Sequence, residues 1–175
     1  MSMVESPLVC SDVRLLVVMG SSGCGKSTVG SALAKRLNAV FIEGDDHHSL
    51  ENKAKMANSI ALTDEDRWPW LAQLSKAMRE SNGTVVASCS ALKKAYRNHI
   101  TSGAGEPVLY IYLHGSSTTL AARLRTRQDH FMSRSLLESQ LATLEPPDSE
   151  EPGITVDIDQ SVDSIVEEVL SKLQA

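Results

Sequence analysis

Short apolar runs recur along the chain, and each is followed by a segment in which apolar residues return every three or four positions. The runs Leu15 to Met19, Ala39 to Ile42, Thr84 to Ser88, Val108 to Leu113 and Ile154 to Ile158 are nearly continuously apolar. A strand covered on one face would alternate; continuous runs are what a parallel sheet buried on both faces requires. Helical spacing extends over roughly Lys26 to Leu37, Ser49 to Asn58, Asp64 to Ser81, Lys93 to Thr101, Ser117 to Gln128, Ser133 to Leu144 and Ser161 to Leu173. Strands alternating with helices predict an α/β fold, a three-layer α/β/α sandwich around a five-stranded parallel sheet. In such a sheet, ligands sit beyond the carboxyl ends of the strands.

Two places in this pattern are less regular. Thr63 followed by Asp64, Glu65 and Asp66 reads as an N-cap with acids in the first turn, yet Pro69 stands inside the helical pattern. Either a short turn ends at Trp68 and Pro69 restarts the helix, or the helix is kinked there. The stretch Glu145 to Gly153 carries three prolines and a glycine and reads as a solvated connector to the last strand.

Between the first strand and the first helix lies Gly20-Ser21-Ser22-Gly23-Cys24-Gly25-Lys26-Ser27, followed by Thr28. This fits G-x-x-x-x-G-K-[ST] in the strand–loop–helix context that gives the motif its meaning. Glycines let the backbone turn successive N–H groups inward, and the helix start adds its partial positive charge, forming a cradle for phosphate oxygens. Gly20 to Thr28 are therefore expected to hold a nucleoside triphosphate. Lys26 reaches the β- and γ-phosphates in this reading, and the Ser27 hydroxyl holds Mg²⁺.

Composition narrows the alternatives. A chain of 175 residues with 42% hydrophobic content is expected to be one domain over residues 1–175, with the first dozen residues flexible. A net charge of −5 argues against a nucleic-acid partner, which wants a broad basic face, but not against a nucleotide. Cys10, Cys24 and Cys89 show no spacing for zinc or a disulfide framework, so a reducing compartment is the simplest expectation. Met1 to Asp12 has no apolar core and is not Arg-rich, and no apolar run has membrane-spanning length. No leader peptide, membrane or nucleic-acid contact is expected, and a cytoplasmic location follows by default.

Three polar clusters follow the strands. Glu43-Gly44-Asp45-Asp46-His47-His48 ends the second strand, at the same sheet edge as the glycine-rich loop. A carboxylate there suits deprotonation of an acceptor hydroxyl in line with the γ-phosphate; an acidic cluster that caps the next helix is an equal reading. Cys89-Ser90-Ala91-Leu92-Lys93-Lys94-Ala95-Tyr96-Arg97 ends the third strand without the Asp that often assists Mg²⁺ in such proteins. Metal support then falls to Ser27, phosphates and water, with Asp45 a further candidate. Arg123 and Arg127 are one helical turn apart and could meet a transferring phosphoryl group, or could merely complement the helix dipole. A nucleotide-dependent switch could use the same loop, but it would not need the polar side chains gathered after the second and third strands.

These stretches resemble the gluconate kinases of the small phosphate-loop type, relatives of shikimate and adenylate kinases. The matching residues include Gly20 to Ser27, Gly44-Asp45 with Asn52, Lys55 and Met56, and Leu62-Thr63-Asp64-x-Asp66-Arg67-x-Pro69-Trp70-Leu71. They continue through Cys89-Ser90-Ala91-Leu92-Lys93, Tyr96-Arg97, His130-Phe131-Met132, Ser139-Gln140 and Val156 to Gln160. The resemblance implies a phosphate-loop kinase with a short helical lid, usually a homodimer. It implies transfer from ATP, with Mg²⁺, to the 6-hydroxyl of D-gluconate, giving 6-phospho-D-gluconate for the pentose phosphate pathway. By the same resemblance Asp45, Lys26 and Arg127 are catalytic, and Arg123 serves the nucleotide. It further implies that Asp45, His47, Arg67, Lys93, Arg97 and His130 contact gluconate. The chain departs from the family at Asn58-Ser59-Ile60-Ala61, where a glycine-containing turn is expected, and at Asn98 to Thr101, where a basic residue often ends the helix.

Overall fold

A computed structural model describes residues 12–126 and 134–174. Five parallel strands, β1 (Leu15–Met19), β2 (Val40–Glu43), β3 (Val85–Ser88), β4 (Val108–His114) and β5 (Gly153–Asp157), lie in the order β2-β3-β1-β4-β5. Helices α1 (Lys26–Leu37), α2 (Leu50–Ala57), α3 (Asp64–Glu80), α4 (Lys94–Ala104), α5 (Ser117–Thr126), α6 (Arg134–Thr143) and α7 (Val162–Leu173) connect or follow them. The predicted elements are all present, displaced by no more than three residues at ends that lie within the described residues.

The side-chain period of two divides the central strands between two cores. Leu16 and Val18 of β1, with Val86, Leu109, Ile111 and Leu113, pack against α1, α5 and α7. Leu15, Val17 and Met19, with Val85, Ala87, Tyr110 and Tyr112, face Leu71, Leu74 and Met78 of α3 and Tyr96 and Ile100 of α4. Every residue of β1 is buried, which explains why its sequence does not alternate. The arrangement is the expected three-layer sandwich, and it brings the ends of β1, β2 and β3 to one edge.

Pro69 neither ends nor restarts a helix: α3 runs without interruption from Asp64 to Glu80. Proline has no N–H for the Glu65 carbonyl, but both residues are exposed, so water can replace the lost bond. The start of α3 is held by a reciprocal capping box. Thr63 Oγ1 accepts from the Asp66 N–H at 3.1 Å, and Asp66 Oδ2 accepts from the Thr63 N–H at 2.9 Å. Lys55 Nζ donates to the same carboxylate at 2.7 Å and ties α2 to α3.

The connector before β5 is less solvated than its composition suggests. Arg97, only 1% exposed, donates through Nε and Nη2 to Glu151 at 2.7 and 3.1 Å. It also donates to the carbonyls of Ala91 and Glu145 at 2.8 and 2.9 Å. Burial pushes the Glu151 carboxyl up, but the hydrogen bonds and charge of Arg97 outweigh it and hold the pKa below its ordinary 4.5. A buried pair of this kind is costly to break from one side, because the remaining charge has no compensation. Glu151→Gln should therefore lose about 3 kcal/mol of stability at pH 7, measured by urea unfolding. Because the folded pKa is depressed, the carboxylate's contribution is present above pH 4.5 and disappears as pH falls through the folded value, so the variant should show a flatter acid limb. A loss below about 1 kcal/mol would mean that the pair does not hold the connector.

Candidate functional site

The glycine-rich loop owes its shape to three residues in the positive-φ region, Gly20, Gly23 and Gly25, at 147°, 86° and 90°. At Gly20 a Cβ would also meet Cys24 Sγ at 2.8 Å and the Leu113 carbonyl at 3.0 Å. The loop passes directly into α1, whose Val29 N–H donates to the Gly25 carbonyl at 2.9 Å. Lys26 Nζ donates to the Ser21 carbonyl at 3.2 Å, while the Ser22 N–H donates to Gln140 Oε1 of α6 at 2.7 Å. Arg123 of α5 stands beside the loop: its Nη1 would lie 3.8 Å from a Cβ at Gly25, and its Nη2 donates to the Ile158 carbonyl at 2.9 Å.

Beyond the loop, β2 is joined tightly to β3 and α3. Ser88 Oγ donates to Glu43 Oε1 at 2.6 Å, and Trp70 Nε1 donates to the Gly44 carbonyl at 2.8 Å. Gly44 then begins a 3-10 turn, Gly44–His47, which carries Asp45. The Asp45 side chain is 74% exposed and opens into a cleft. Withdrawal from bulk water raises its pKa; Glu43 and Asp46 add to the rise, while Lys26 and Lys53 oppose it. The shift makes Asp45 a stronger base than an ordinary aspartate.

The cleft has a volume of about 670 Å³, enough for a nucleotide's phosphates together with a small acceptor. Gly25, Lys26 and Ser27 of the loop and α1 line it together with Asp45, Arg67 and Trp70. Arg67 donates through Nη1 to the Tyr96 hydroxyl, its guanidinium carbon sits 5.0 Å from the centre of the Tyr96 ring, and Tyr96 donates in turn to Asp64. Arg67 is therefore anchored by an aromatic hydroxyl rather than by Asp64 or Asp66. Among the described residues, Nε and Nη2 have no protein partner. A fork held in this way suits bidentate recognition of a carboxylate.

Several expected site residues stand elsewhere. Arg97 is enclosed by Glu151 and backbone carbonyls, which removes it from any acceptor contact. Lys93 turns to Asp64 at 3.5 Å and to the face of Tyr96 at 5.6 Å and is not among the residues that line the cleft. His47 does not line the cleft; His48, one residue on, does. Gly20, Ser21, Cys24 and Thr28 shape the loop or begin α1 without lining the cleft. Arg127 and His130 lie outside the described residues. Burial pushes the Cys89 thiol up to about 12, which suits a packing role and not a nucleophile.

Lys53, His48, Trp70 and Gln140 line the cleft without having been assigned a role from sequence. For His48 a signal existed, since Asn52 follows four positions later, within one helical turn. Gln140 and Trp70 belong to the stretches that carry the family resemblance, but nothing in their spacing shows what they touch.

A phosphate cradle with its lysine, sharing a cleft with a carboxylate at the carboxyl edge of a parallel sheet, defines a phosphate-loop kinase that uses ATP. Residues 15–147 match the AAA domain family. The chain is 45% identical to a gluconokinase of Gluconobacter oxydans, with 93% of this chain and 92% of that protein covered. It is 42% identical to a probable gluconokinase of Xenopus tropicalis, covering 89% and 90%. A crystal structure of a gluconokinase from Sinorhizobium meliloti superposes with a TM-score of 0.84 at 47% identity, over 91% of this chain and 90% of that one. The chain belongs to the gluconokinase family.

Lys26 is the side-chain cation contributed by the phosphate loop, and it is held by a single carbonyl from which it can swing to a phosphate. Lys26→Ala should lower kcat at least about 100-fold in an ADP-formation assay while leaving the thermal midpoint unchanged. Near-full activity of the folded variant would remove Lys26 from phosphoryl transfer.

Proposed function

We propose that this chain transfers the γ-phosphoryl group of ATP to the 6-hydroxyl of D-gluconate, giving 6-phospho-D-gluconate and ADP. The observation that carries the reading is the cleft itself, which joins the phosphate loop to Asp45 and to the anchored guanidinium of Arg67. The gluconokinase relatives cover nearly the whole chain, so the resemblance reaches both sides of that cleft and not the loop alone.

In this reading Lys26 and the loop N–H groups hold the triphosphate, with Arg123 beside Gly25 to serve the nucleotide. Asp45 accepts the proton of the acceptor hydroxyl as its oxygen attacks the γ-phosphorus, and the bond to the ADP oxygen breaks. Arg67 grips the C1 carboxylate, which leaves the far end of the open chain, with its 6-hydroxyl, to meet Asp45. Arg127 and His130 keep their proposed roles in phosphoryl transfer and acceptor contact.

The Ser27 hydroxyl and the carboxylates of Asp45 and Asp46 line the same cleft, which fits Mg²⁺ held mainly by phosphates and water rather than by a protein cage. Bound there, the ion would neutralise charge on the phosphate oxygens. We place the reaction in the cytoplasm, upstream of the pentose phosphate pathway, and the active species is a homodimer.

Phosphorus NMR of the product tests the regiochemistry. Transfer to a primary hydroxyl gives a phosphate signal split into a triplet by two protons, whereas a secondary hydroxyl gives a doublet. A triplet is expected with gluconate; a doublet or no new ester would overturn the reading. Asp45→Asn should lower kcat by about 10²–10⁴-fold with little change in KM for ATP, because an amide keeps the size but cannot take the proton. A change confined to ATP affinity would make Asp45 a metal-shell residue instead.

A further inference from the structure

We propose that His48 is a neutral hydrogen-bond donor that positions the acceptor hydroxyl against Asp45, in a ring tautomer dictated by Asn52. The inference rests on the phosphoryl-transfer reading given above and concerns how the same site holds its acceptor.

The tautomer follows from the donors and acceptors around a buried amide. Asn52 is 4% exposed, and its Nδ2 donates to the backbone carbonyl of Asp66 at 2.9 Å. A carbonyl can only accept, so that end of the amide must be the NH₂ group. The same nitrogen lies 3.3 Å from His48 Nδ1. With its second N–H pointing there, Nδ1 must be the accepting nitrogen, and the ring proton resides on Nε2.

The ring itself is held in place. Trp70 stacks on it with centroids 3.9 Å apart and planes 20° apart, and the indole is in turn fixed through Nε1 to the Gly44 carbonyl. Only 3% of the His48 side chain remains exposed, and the residue lines the cleft. Burial, reinforced by the positive charges of Lys53 and Arg67, lowers its pKa to about 4, while Asp45 faces it from the other side. Because Nδ1 accepts from the Asn52 amide, the imidazole is neutral, with one fixed donor and one fixed acceptor.

Nε2 lies 3.8 Å from Asp45 Oδ1, too far for a direct hydrogen bond. A hydroxyl oxygen at the mouth of this gap can satisfy both groups, accepting from Nε2–H and donating its own proton to the carboxylate. A carbonyl or ether oxygen cannot, since neither has a proton to give. The hydroxyl's remaining lone pair is then available to the γ-phosphorus. During transfer the hydroxyl proton moves to Asp45, the new P–O bond forms, and the electron pair of the broken bond stays on ADP. His48 keeps its proton throughout and acts by positioning.

The test combines the ring's protonation pattern with kinetics of the full chain. Two-bond proton–nitrogen spectra of the wild-type protein should show a protonated Nε2 and a bare Nδ1 at neutral pH; the opposite pattern would overturn the proposal. His48→Phe, which keeps the stack on Trp70 but removes the donor, should lower kcat/KM for gluconate about 10- to 100-fold, with KM for ATP changed less than about twofold. His48→Gln, whose amide can present a donor, should recover part of that loss. Unchanged gluconate kinetics in the Phe variant, or equal losses in the Phe and Gln variants, would reduce His48 to a packing role. If the Phe variant does not fold, the wild-type spectrum and the Gln variant decide. A wild-type protein that forms no ADP with gluconate would sink the functional reading, while the spectrum would still judge the tautomer.

Discussion

Between the ends of β2 and β3 there is no room for a side chain at position 44, because a Cβ there would lie 2.0 Å from the Ser88 carbonyl oxygen and 3.1 Å from its carbon. The close approach lets the Gly44 N–H reach Ser88 Oγ at 3.3 Å and leaves the Gly44 carbonyl directed at the Trp70 indole. Both contacts fix where the 3-10 turn departs from the sheet. Asp45 and His48 ride on that departure, and Lys26 leaves from the end of β1, separated from β2 by β3 alone. The relation between Asp45 and the glycine-rich loop is therefore set by sheet geometry, with little left to loop conformation.

A second constraint sorts the cations. Arg97 is buried and surrounded by acceptors, so it serves as scaffold and joins α4 to the connector before β5. Arg67 is bound on one edge through Tyr96 and opens on the cleft with the rest of its fork. Lys93 completes the Tyr96–Asp64 group without lining the cleft. Three cations that look alike in sequence thus divide into a buried structural one, one that lines the cleft and one that packs on the same tyrosine as the second. The division follows from what surrounds each head group rather than from residue type.

The fold is largely legible in the sequence because its signals are local and repeated: continuous apolar runs, helical spacing and a loop whose glycines have one structural use. The capping box at Thr63 and Asp66 was also written locally. Of the two readings open at Pro69, a break and a continuous helix, the structure has the continuous one, because the helix can run past a proline where both affected groups face water. The connector misled because Glu151, among prolines and acids, is claimed by an arginine 54 positions away. Site residues divided along the same line. Lys26 and Asp45 follow from strand ends, whereas His48 rather than His47 enters the cleft because of the turn's phase and the stack on Trp70. Within Asn58 to Ala61, where a glycine-containing turn is expected, Ser59 adopts φ 59°, so the turn has a left-handed residue without a glycine.

The central proposal is that one cleft reads an open-chain carboxylate at one end while presenting a hydroxyl to Asp45 at the other. Acceptor-dependent ADP formation with gluconate and with glucose, measured for the wild-type chain and for Arg67→Lys, tests that claim most directly. The account predicts turnover with gluconate and none above background with glucose. It also predicts a gluconate KM raised about tenfold or more by the loss of the guanidinium fork, with KM for ATP unchanged. Comparable rates with glucose, or a gluconate KM untouched by Arg67→Lys, would contradict it.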